Sequence, residues 1–154
     1  MDYAIRELKR VNQMKKTLLL FLAITSTLAL ASLRAQADSD GDISKLPPAS
    51  PKTGVVYDPD IKAIFNKSCI KCHSGDKAKG KLHLDSLEGA LKGGKEGKIV
   101  IPGNLAKSPL VFDVAHVGDE SDAFMPPPES KSKVAPLTKE QVGLIRAWIE
   151  QGAK

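Results

Sequence analysis

In the stretch DPDIKAIFNKSCIKCH, Ile61, Ile64, Phe65 and Ser68 recur at intervals of three and four residues. That period predicts a helix running into Cys69 with its apolar side inward. Asp58 is placed to cap it and Pro59 to take its first position. A second strong period lies in LTKEQVGLIRAWIEQGAK, where Val142, Ile145, Trp148 and Ile149 form an apolar stripe. Thr138 with Gln141 makes a capping box before that stripe, and Gly152 sits where a C-terminal cap belongs. Between these two helices the pattern predicts two short ones, 86–92 after Asp85 and 109–116 with Ser108 as cap and Pro109 first. The glycine-rich GGKEGKIVIPG joins them as an extended loop, with a short strand expected at Lys98–Ile101. MPPPESKSKVAP, from Met125, reads as a stiff, partly polyproline loop. The pattern thus predicts an all-α domain over 58–154, small and carrying long irregular loops.

Upstream the pattern changes twice. Residues 38–57 are rich in Asp, Ser, Pro and Gly without an apolar period, which predicts a flexible lead-in. Before them, Lys15 and Lys16 precede an apolar run from Thr17 to Leu33, followed by Ala35-Gln36-Ala37. This is the layout of a secretory signal peptide cut before Asp38, with Met14 as its natural start. Residues 1–37 are therefore read as an extension plus leader, and the rest as a periplasmic or otherwise exported protein. The apolar run is marginal as a membrane span, so a membrane tether is the alternative if the segment is retained.

The leader also alters the charge. The whole chain has 23 basic and 18 acidic residues; six and two of them lie in residues 1–37, leaving 17 and 16. The basic excess belongs mostly to the leader and gives no argument for nucleic acid as a partner.

Both cysteines lie in SCIKCHSG, as Cys69 and Cys72, with His73 beside them. In an oxidising compartment they could pair, but a disulfide closing so short a loop stabilises little. Zinc would need two further ligands, and only His83 and His116 remain besides His73. A thioredoxin-like dithiol wants a preceding strand, and here a helix precedes. Cys-x-x-Cys-His fits covalent attachment of one haem c: two thioether bonds from Cys69 and Cys72, with His73 on the iron. The five aromatics beyond the leader (Tyr57, Phe65, Phe112, Phe124, Trp148) make a thin core that a buried prosthetic group would complete.

For the second axial position, Met125 is the methionine left once the leader is removed. The prolines after it restrict the backbone and would hold a thioether in place at little entropic cost. His116 is the rival; at a helix end, a surface histidine is the ordinary expectation. His83 alternates with Leu82 and Leu84, so it points away if those leucines face the haem.

Taken in order, CIKCH, KGKLHLDSLEGALKGG, IVIPGNLAKSPLV, MPPP and LTKEQVGLIRAWIEQGA resemble the Planctomycete-type cytochrome c domain of the class I cytochrome c superfamily, over about residues 60–153. The resemblance implies an all-helical fold whose first and last helices cross near the haem, with His73 and Met125 as axial ligands. A sixth site filled by Met125 points to an electron carrier rather than an enzyme, exchanging single electrons with redox partner proteins. A haem enzyme or small-ligand sensor, peroxidase-like, would need a vacated sixth site. A haem-bearing docking module of a larger exported complex is the third reading, in which Lys67, Lys71, Lys77, Lys79 and Lys81 would steer it onto an acidic surface.

Overall fold

The structure, a computed structural model, describes residues 40–119, 121–127 and 134–154. The expected leader and cleavage site, and the middle of the proline loop, lie outside the described residues. Among the described residues the architecture is helical, with α1 (Lys62–Ser68), α2 (Leu87–Lys92), α3 (Pro109–Ala115) and α4 (Lys139–Glu150) joined by long loops. No helix among them is long and apolar enough to cross a membrane.

The two strong periods form their helices. α1 follows a turn, Tyr57–Ile61, in which Asp58 is extended, and its carboxylate accepts from Lys62 Nζ (2.7 Å) rather than from a backbone amide. Ile61, Ile64 and Phe65 are buried. α4 carries the expected capping box, Gln141 N–H donating to Thr138 Oγ1 (3.3 Å) and Thr138 N–H to Gln141 Oε1 (2.9 Å). Its stripe of Val142, Ile145, Trp148 and Ile149 is buried, and Gly152 adopts the positive φ (96°) that ends the helix. Trp148 meets Phe65 edge-on with ring centroids 6.5 Å apart, and Tyr57 joins both at 6.1 Å. Such pairs add about 0.5–1.5 kcal/mol each beyond their burial. Thus α4 is tied to α1 through rings that sit one turn before the first cysteine.

Three local expectations are corrected. α2 is capped by Ser86, whose hydroxyl accepts from Gly89 N–H (3.1 Å), and begins one residue later than expected. Lys98–Ile101 is not a strand; its backbone groups are spent elsewhere. Ile99 C=O accepts from Leu110 N–H (3.1 Å), and Ile101 N–H donates to Ser108 Oγ (2.9 Å). The one β-bridge among the described residues joins Gly94 and Gly97. Ser108 stands at the N-cap of α3 without capping it, because its hydroxyl donates back to the Asn104 carbonyl (2.7 Å).

The lead-in that composition predicts to be flexible lies along α4 in the described residues. Leu46 and Val55 are buried, and Ser50 N–H donates to Gly143 C=O (2.9 Å). Arg146 Nη1 reaches Pro47 C=O (3.1 Å), and Gln151 bridges Val55 N–H (3.0 Å) and Lys52 C=O (2.8 Å). At Gly143 the approach is so close that a Cβ would lie 2.5 Å from the Pro48 oxygen. Composition misleads here because the segment is ordered by α4 side chains, whose sequence separation from it reaches 99 residues.

Candidate functional site

The Cys-x-x-Cys-His run is a tightly bonded continuation of α1. Cys69 N–H donates to Phe65 C=O (2.8 Å), then Cys72 and His73 N–H both donate to Cys69 C=O (3.1 and 3.0 Å). Lys79 N–H returns to Cys72 C=O and Leu84 N–H to His73 C=O, each at 2.8 Å. Every bond in the run is local or spans a short loop, so the spacing of the two cysteines and the histidine is held by the backbone itself. Both thiols are free.

Above this run lies a cavity of about 370 Å³, within the range of small-molecule and cofactor sites. Cys69, Cys72, His73 and Met125 all line it. Its apolar surface comes from Leu82, Leu84, Ile99, Leu110 and Val114, with Pro126 and Pro127 beside the methionine. An adjoining lobe of about 280 Å³ shares Cys72, His73, Leu82 and Met125 and runs out to Lys95 and Glu96. The structure therefore brings together the four residues singled out in the sequence, although Met125 is more than fifty positions from the cysteines. Leu82 and Leu84 line the cavity, and His83 lies in a separate recess with Lys81 and Lys92, as their alternation predicts.

Electrostatics suit a metal-bound group more than a charged one. Burial lowers the His73 pKa, opposed by the nearby backbone of Lys79 and Leu82, so the ring stays neutral and keeps a lone pair. Its Nδ1 is buried without a hydrogen-bond partner. A polar atom buried in that state costs about 1–3 kcal/mol, so this ring is left under-satisfied by the protein alone. Burial also pushes the Cys69 thiol up to about 11. An apolar cavity rimmed by two free thiols, holding a neutral imidazole and a thioether, has the donor set and lining that a haem requires.

Sequence reasoning missed what α3 contributes. Leu110, Asp113 and Val114 line the cavity, and Met125 N–H donates to Asp113 C=O (2.9 Å). His116 is not the surface residue expected at a helix end. Half-buried, its Nε2 lies 3.1 Å from Pro126 C=O and its ring stacks on Phe124. It does not line the cavity. The signal available in sequence was FMPPP itself, a run short of amide donors that needs hydrogen-bond partners from elsewhere.

Comparison with curated proteins and with solved structures gives no match. Residues 69–129, from the first cysteine to beyond the MPPP segment, match the family model described as Planctomycete cytochrome C, and it is this family that the chain resembles.

Proposed function

We propose that this protein is an exported electron carrier, holding one haem c by thioether bonds from Cys69 and Cys72 with His73 and Met125 as axial ligands. The observation that carries the reading is the convergence of these four side chains on one apolar cavity. The bound group supplies a ferrous/ferric couple. The chain supplies the rest. His73 is kept neutral by burial, so it needs no deprotonation to act as a donor. Met125 brings a soft, uncharged thioether, which favours the ferrous state relative to a second imidazole. The leucines, Ile99 and Val114 give the cavity an apolar lining that would keep water from the bound group. Lys67, Lys71, Lys77, Lys79 and Lys81 are exposed, and Lys71 and Lys79 reach the cavity rim. They suit an encounter with acidic surfaces on donor and acceptor proteins. Export rests on the leader read in residues 14–37.

Spectroscopy of the haem-loaded protein tests the reading. Ferric protein is expected to show the weak far-red band of sulfur on iron, and ferrous protein to resist carbon monoxide. Met125→Ala should abolish the band, admit carbon monoxide and lower the midpoint potential, by on the order of 100 mV within the ~0.8 V that axial ligands span. Wild-type protein that takes carbon monoxide freely, or turns over peroxide at enzymatic rates, would move the assignment to a sensor or peroxidase.

A further inference from the structure

His116 closes α3 in a left-handed conformation (φ 54°, ψ 45°), unusual for a residue other than glycine. Its N–H bonds back to Asp113 C=O (3.3 Å), and its ring is sent toward the Met125 segment. There it meets the residues on both sides of the methionine. The imidazole lies flat against Phe124, with centroids 5.0 Å apart and planes 6° from parallel. Its Nε2 is 3.1 Å from the carbonyl of Pro126, which is buried. A carbonyl can only accept, so Nε2 carries the hydrogen; both the Nε2–H tautomer and the imidazolium satisfy this, and the contact requires no titration.

Among the described residues, few other hydrogen bonds hold the segment. Pro126, Pro127 and Pro128 lack N–H groups, so none of the three residues after Met125 can donate from its backbone. Met125 donates its own N–H to Asp113 C=O, on the same helix that ends in His116. From this we infer that His116 is the positioning residue for Met125. One ring fixes the residue before the methionine by stacking and the residue after it by a hydrogen bond, and so sets where the sulfur stands in the cavity. This rests on Met125 as the sixth ligand, and the test separates the two.

Three variants dissect the clamp in the haem-loaded protein. His116→Phe keeps the stack and removes the donor, His116→Gln keeps a donor of similar reach, and His116→Ala removes both. His116→Ala is expected to weaken the far-red sulfur band and raise carbon monoxide affinity of the ferrous form by about tenfold, the scale of one net hydrogen bond. His116→Phe should fall between Ala and wild type, and His116→Gln should recover most of the band. In cofactor-free protein, His116→Ala should speed hydrogen exchange at the Met125 amide while leaving α4 amides unchanged. An unaltered band and carbon monoxide affinity in His116→Ala would overturn the inference. So would losses that follow global stability, with α4 exchange rising in step and no recovery by Gln. If wild type and Met125→Ala bind carbon monoxide equally well, it is the ligation that fails, and exchange at the Met125 amide then decides the clamp alone.

Discussion

The segment carrying His73 and the segment carrying Met125 line the same cavity but are held in different ways. Around His73, backbone bonds link α1, the motif and the loop up to Leu84 over short sequence distances, and Ser74 Oγ donates back to Ile70 C=O (2.6 Å). Around Met125, support comes from α3, through Asp113 C=O and the His116 ring. The first segment is specified by its own sequence; the second takes its place only when the chain has closed on itself. Two side chains that line one cavity thus depend on different parts of the chain for their placement.

The largest break in this comparison is on the His73 side. Cys69→Ser combined with Cys72→Ser should eliminate covalent haem altogether, read by acid-acetone extraction of the denatured protein. Retention of haem after extraction in the double variant would contradict the assignment of both cysteines. His116→Ala and Met125→Ala, in contrast, should leave attachment intact and alter only the sixth bond.

A smaller effect is expected where α3 is anchored. Ser108 is fully buried, accepts from Ile101 N–H and donates to Asn104 C=O. Ser108→Ala leaves those groups without their partner and should destabilise the protein by about 2 kcal/mol in chemical denaturation. It should also speed exchange at the Met125 amide before it affects the amides of Cys72 and His73. Equal acceleration on both sides would mean that the two segments share one support.

The smallest effect sharpens the His73 side before haem is present. With its thiol pushed up to about 11 by burial, Cys69 has roughly a hundredfold less thiolate at pH 8 than a thiol of the ordinary value 9.0. Higher intrinsic nucleophilicity recovers part of that, so alkylation of Cys69 in reduced, cofactor-free Cys72→Ser should be about tenfold slower than that of an exposed peptide thiol. The rate should rise with pH up to about 11. A rate matching the free peptide would show that the site opens without haem.

How much could be read in advance follows the same division. The motif and α4 with its Thr138–Gln141 box are encoded within a few turns of chain and stand as the pattern predicts, whereas α1 forms on its apolar period but starts at Lys62, without Asp58 as cap or Pro59 as first residue. Met125 stands out in the sequence because residues 38–154 contain no other methionine. His116 was not, since a histidine at a helix end has no local mark of the carbonyl it will meet ten residues on. Ser108 shows the same limit: its position predicts a cap, while its partners at Ile101 and Asn104 depend on a fold in the preceding loop. The lead-in was misread because Pro47, Pro48 and Ser50 look like linker until Gly143 and Arg146 are brought beside them.

Trp148 is the only tryptophan in the chain, fully buried against Phe65, with its indole N–H donating to Lys154 C=O (3.0 Å). Phe65 also accepts, through its carbonyl, the amide hydrogen of Cys69. The protein thus carries an internal optical probe one turn from Cys69. Indole emission overlaps haem absorption, so loading should quench the fluorescence by energy transfer, whereas unfolding should restore it and shift it to the red as water reaches the ring. Followed in a single cuvette, intensity would report maturation and wavelength would report unfolding, with no label added to the chain.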